Sequence, residues 1–204
     1  MSGEILAIEE DEEEFHSEFN LGLGAGALDT FKWLIIGHLL YVVGLFVTAA
    51  IGLKMGNIWV TPLFAAPLLW AERKNRPWLK VLVFVIGFSA AHYAGEWIAI
   101  KSYNPPAEAS LLPGLSGGLL GGGLALAACF VSGLCRPGIP NMVFGLFGLG
   151  LLGVAGALGV YMYVGGEPAG DGAAAMVMHM LWIYTPWQIV FAYVLAKVLR
   201  PVGR

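Results

Sequence analysis

Charged residues punctuate the chain, and the uncharged stretches between them set its architecture. Those stretches run over 33–53, 55–71, 81–95, 109–135, 137–166 and 172–196. A helix that crosses a bilayer needs about 20 apolar residues, within a range of roughly 17–25. Five of the six meet this, counting the third as running past Glu96 to Ile100. The second is marginal, because its seventeen residues contain Pro62 and Pro67; it reads as a short broken helix or a re-entrant loop. The pattern predicts an all-α integral membrane protein with a bundle of six transmembrane helices over residues 31–204. The spans fall at about 33–53, 55–71, 81–100, 111–135, 140–164 and 173–197.

Lysine and arginine are retained on the cytoplasmic side of membranes. With both termini cytoplasmic, Lys32, Arg73, Lys74, Arg76, Lys80, Arg136, Lys197, Arg200 and Arg204 lie inside, and only Lys54 and Lys101 lie outside. Nine against two fixes the orientation, that of a bacterial plasma (inner) membrane protein. Aromatic rings agree with it. Trp33, Trp70 and Trp78 fall at the inner boundary, and Trp59, Trp97, Tyr161 and Tyr163 at the outer one, the level that amphipathic rings prefer.

Composition supports lipid as the solvent. Hydrophobic residues make up 58% of the chain and charged ones 12%, against about 25% charged in soluble domains. Nine of the fourteen acids lie in the first 29 positions, so the net charge of −3 describes a tail and the remainder is mildly basic. This balance gives no support to nucleic-acid binding. Residues 1–30 read as an acidic cytoplasmic tail, disordered in its first half, with a glycine-rich turn at Gly22–Gly26. A protein partner could dock through this tail and the Arg73–Lys80 loop. The acids precede the first span, so no cleavable signal is expected. Cys129 and Cys135 lie six apart in one apolar run. As parts of one helix they would face different ways and could not pair.

Glycine is concentrated in spans four and five. Gly117, Gly118, Gly121, Gly122 and Gly123 form overlapping GxxxG pairs, and Gly150, Gly153, Gly156 and Gly159 recur every three residues. In lipid, small residues drive helix packing by letting backbones approach, so these two spans are expected to cross tightly.

The polar groups inside the spans carry any chemistry, since each is costly there. Ser89, His92 and Glu96 share one face of span three. His92 and Glu96 lie roughly 12 Å and 6 Å from its outer end, and His179 about 9 Å from that of span six, at 1.5 Å per residue. His38 lies in the inner half. Pro186 kinks span six, frees the Trp182 carbonyl and leaves Gln188 beside it, and transporters build central sites on such discontinuous helices. Ser89, His92, Glu96, His179 and Gln188 are therefore the candidate binding residues for a small solute or ion. His92, Glu96 and His179 are the candidate metal ligands, and two histidines could also hold a haem; no cofactor is strongly implied.

Gly114-Leu115-Ser116-Gly117 with His179 is superficially similar to the serine and histidine of rhomboid proteases. Two departures stand against it: no matching glycine follows His179, and span two has no His/Asn pair for an oxyanion site. The pattern as a whole points to a transporter, a channel-type protein or a substrate-binding membrane subunit with a polar site in the outer half of the bilayer. An accessory subunit of a larger membrane complex and an intramembrane metal- or haem-dependent enzyme are the alternatives.

Overall fold

A computed structural model describes residues 23–71, 78–103, 111–135 and 138–199. The described residues form six helices: α1 (Ala25–Ala50), α2 (Gly56–Ala71), α3 (Trp78–Ser102), α4 (Leu112–Val131), α5 (Ile139–Gly165) and α6 (Ala173–Val198). No strand occurs among the described residues. Four helices, α1, α3, α4 and α5, are long and apolar enough to cross a bilayer, as an integral membrane protein requires. The first half of the acidic tail and most of the Arg73–Lys80 loop lie outside the described residues.

Helix bounds follow the uncharged runs closely, with one shift. α1 begins at Ala25, eight residues before its run, so Ala25 and Gly26 are helical where a turn was expected. Its first turns carry Asp29 and Lys32, paired at 3.4 Å on the exposed side. α2 is not broken: it continues as one helix through Pro62 and Pro67. At sixteen residues it spans only about 24 Å. α6 has the length, at 26 residues, but its polar content keeps it out of the four.

Each helix packs on its neighbours in sequence, and α6 returns to pack on α1, closing a ring. Large apolar side chains face outward, among them Leu39, Val43, Ile86 and Leu146, the last 71% exposed. Glycines and most of the polar groups face inward beside a core of large side chains such as Phe64, Phe88, Phe191 and Leu152. That arrangement suits lipid as the surrounding solvent.

Glycines set the close approaches. A Cβ on Gly114 would overlap the Gly156 carbonyl, and one on Gly156 the Gly114 carbonyl, which is the tight crossing expected of spans four and five. α3 meets α4 in the same way: a Cβ on Gly95 would lie 2.9 Å from the Gly117 carbonyl oxygen. The Trp182 carbonyl freed by Pro186 faces Gly159 of α5, 2.7 Å from where a Cβ would sit.

The cysteines correct the sequence reading, because Cys129 and Cys135 are disulfide-bonded with Cα atoms 5.6 Å apart. They do not share a helix. α4 ends at Val131, and Gly133 adopts a left-handed conformation at φ +69°. The Leu134 and Cys135 amides then donate back to the Cys129 carbonyl at 3.1 and 3.2 Å. A glycine stop of this kind reverses the chain, and no charge marked it in the sequence. Cys135 also bridges the backbone of Leu199, tying the end of α6 to this turn.

Candidate functional site

The ring holds two polar sites separated by aromatic packing. In the first, Glu96 of α3 accepts from Asn57 Nδ2 of α2 at 2.6 Å through Oε2. The same Asn57 group donates to the Tyr184 hydroxyl of α6 at 3.1 Å, and that hydroxyl lies 3.5 Å from Glu96 Oε1 as a long donor. One carboxylate thus gathers two donors from two other helices. Thr61, one turn beyond Asn57, donates to the Asn57 carbonyl at 2.8 Å and helps fix α2 there.

His92 lies one turn before Glu96 on the same face of α3. Its ring sits between two tyrosines, 5.4 Å from Tyr184 and 6.2 Å from Tyr41 by centroids. Tyr41 and Tyr184 meet edge to face at 5.7 Å. His92 Nε2 and the Tyr41 hydroxyl are both buried and have no hydrogen-bond partner among the described residues. Orphaned polar atoms are rare in buried surroundings and mark a place where a ligand or water completes the bonding.

A chamber of about 270 Å³ opens beside this cluster. His92, Glu96, Tyr163, Tyr184 and Trp187 line it, and Gly95, Gly117, Gly118, Gly121 and Gly156 supply walls without side chains. Packing and cavity have the same cause: glycines bring the backbones close and leave room beside them. A second space of about 500 Å³ shares Ala99, Ile100, Val160, Tyr163 and Ile183 with the first. It adds Tyr103, Pro113, Met176 and His179, which lie at the Lys101 end of the bundle. The two spaces adjoin at these shared residues, and the second, at the Lys101 end, is termed the mouth.

Towards the other end the ring is filled. Phe64, Phe88 and Phe191, from α2, α3 and α6, stack with centroids 5.3 to 6.0 Å apart. Phe84 extends the stack at 5.9 Å and Trp187 at 5.0 Å. Trp187 belongs to both the stack and the chamber wall, so the stack floors the chamber. The second polar site is a buried pair: His38 Nδ1 and Gln188 Oε1 are 2.7 Å apart.

The five sequence candidates are therefore divided. His92 and Glu96 stand together in the chamber. His179 lines the mouth, its ring 4.4 Å from that of Tyr163. Gln188 turns to His38, and Ser89 is half-buried outside the walls of either space. The candidate metal ligands do not converge, and among the described residues no group of three or more His, Cys, Asp or Glu could hold a metal ion. His92 lines the chamber and His179 the adjoining space. The Ser116 hydroxyl lies 3.1 Å from both the Ser102 hydroxyl and the Pro113 carbonyl, with one proton to share between them, and His179 is not its partner.

Sequence reasoning missed Asn57, Tyr41 and Tyr184, and gave Tyr163 no role in the site, although it lines both spaces. A signal was present in Tyr184 and Gln188, four apart on one face of α6. Asn57 was visible as a lone amide in an uncharged run. No family model, no curated protein and no solved structure matches the chain.

Proposed function

We propose that this chain is a small transport-type membrane protein that takes up a solute from the Lys101 side, with Glu96 at its binding site. All six helices would span the bilayer, α2 as a short crossing and α6 as a polar one, with both termini cytoplasmic in a plasma membrane. One observation carries the reading. A mouth at one end leads to a carboxylate held by three helices, and an aromatic stack closes the other end. A site reached from one side and sealed on the other is what alternating access demands of one of its two states. An accessory subunit has no need of such a chamber.

The orientation rests on the lysine and arginine bias. It puts the Cys129–Cys135 bond at the cytoplasmic end, where thiols are normally kept reduced. Both cysteines are at most 1% exposed, which withholds them from exchange with soluble thiols.

Ala99, on the wall shared by chamber and mouth, provides the test. Ala99→Cys is made in a chain carrying Cys129→Ser and Cys135→Ser, then exposed to a membrane-impermeant thiol reagent in oriented vesicles. Labelling from the Lys101 face alone is expected. In proteoliposomes, a panel of labelled amines, amino acids and monocarboxylates should include a solute whose uptake Glu96→Gln abolishes. A cysteine inert from both faces, with no solute entering, would end the transport reading.

A further inference from the structure

The chemistry of the chamber restricts what it can bind. Both oxygens of Glu96 are engaged as acceptors, by Asn57 and by Tyr184, the arrangement of an ionised carboxylate. Glu96 is half-buried, and a carboxylate drawn partly out of water is stabilised by a counter-charge. Yet no lysine or arginine among the described residues lines the chamber or its mouth. The missing positive charge has to come with the ligand.

The walls say which kind of cation. A hard metal ion asks for six or more oxygen ligands, and here most of the wall is glycine, aliphatic or aromatic. Tyr163, Tyr184 and Trp187 present rings, and ring faces attract ammonium groups electrostatically. His92 lines the chamber, and its Nε2, buried and unpartnered, is an acceptor that a ligand N–H reaches after a small shift of the ring, when its tautomer leaves it unprotonated. A volume of about 270 Å³ equals roughly nine waters at about 30 Å³ each, so the ligand is small.

We propose that the chamber takes a small monovalent organic cation, an ammonium group on a compact apolar body, with Glu96 as its counter-ion and His92 as a second acceptor. The proposal rests on the chamber being a solute site, and the experiment separates the two claims. The same ammonium chemistry occurs in free amines and in phospholipid headgroups, so the lipid is varied as well.

Ala99→Cys, in the Cys129→Ser, Cys135→Ser chain, is labelled in nanodiscs with propylammonium, 1-propanol or propionate present. The three probes match in size and differ in charge. Propylammonium alone should slow labelling, and Glu96→Gln should weaken that protection by at least about tenfold, the scale of a lost charge-assisted bond, while Glu96→Asp keeps part of it. The ranking of probes on the unaltered site decides the matter even if a Glu96 variant fails to fold. Equal protection by 1-propanol, or stronger protection by propionate, overturns the cation class and leaves the solute site standing. Labelling that none of the probes slows does the same. A cysteine that never reacts overturns both claims. Discs of phosphatidylglycerol alone, compared with discs containing phosphatidylethanolamine, identify the source. Weaker protection in the latter means that the headgroup itself competes for Glu96, and equal protection means that the ligand is a free amine.

Discussion

The two tyrosines that flank His92 are chemically alike and placed differently. The Tyr184 hydroxyl is bonded to Asn57 and reaches Glu96, whereas the Tyr41 hydroxyl is buried with no partner among the described residues. Removing one member of a buried bonded group leaves the others unsatisfied and costs about 1–3 kcal/mol, while removing an unsatisfied hydroxyl costs little. Tyr184→Phe should therefore lower the thermal midpoint of the detergent-solubilised protein, and Tyr41→Phe should leave it unchanged or raise it. Equal losses in the two variants would mean that Tyr41 has a partner the geometry does not reveal.

The helices divide their glycines between contact and open space, and this sets up a comparison within two neighbouring elements. A methyl group on Gly114 would run into the backbone of Gly156, whereas around Gly150 nothing lies within 4 Å. Gly114→Ala should destabilise α4 against α5 by about 1–3 kcal/mol, the usual penalty for overpacking. Gly150→Ala should stabilise by up to about 1 kcal/mol through helix propensity. Unfolding in detergent followed by circular dichroism measures both, and an equal response from the pair would refute the crossing described here. Helix bounds and this crossing were legible in the sequence, because both depend on local runs of charge and of small residues. The end of α4 was not, since Gly133 stops the helix without any break in hydrophobicity. Nor was the pairing of Glu96 with Asn57. It joins residues 39 apart in sequence through the way α2 seats against α3, which no local pattern encodes.

For the whole molecule, the aromatic stack decides whether a filled chamber leads anywhere. Phe64, Phe88 and Phe191 come from the same three helices that hold the Glu96 cluster, and each is at most 1% exposed. On the proposed transport reading, a solute held at Glu96 would pass on only if these rings part, while binding would ask nothing of them. Capture and passage are thus separable. Phe64→Cys with Phe191→Cys, in a chain lacking the native cysteines, places two thiols across the stack, where the native rings lie 6.0 Å apart. Joining them with a short bifunctional thiol reagent should abolish uptake into proteoliposomes. Protection of a labelled chamber by propylammonium should be retained, and uptake should return when a cleavable version of the linker is cut. Uptake that continues with α2 and α6 tied together would mean that the solute takes a route outside the ring. The stack would then be packing alone, and the floor of the chamber would be permanent.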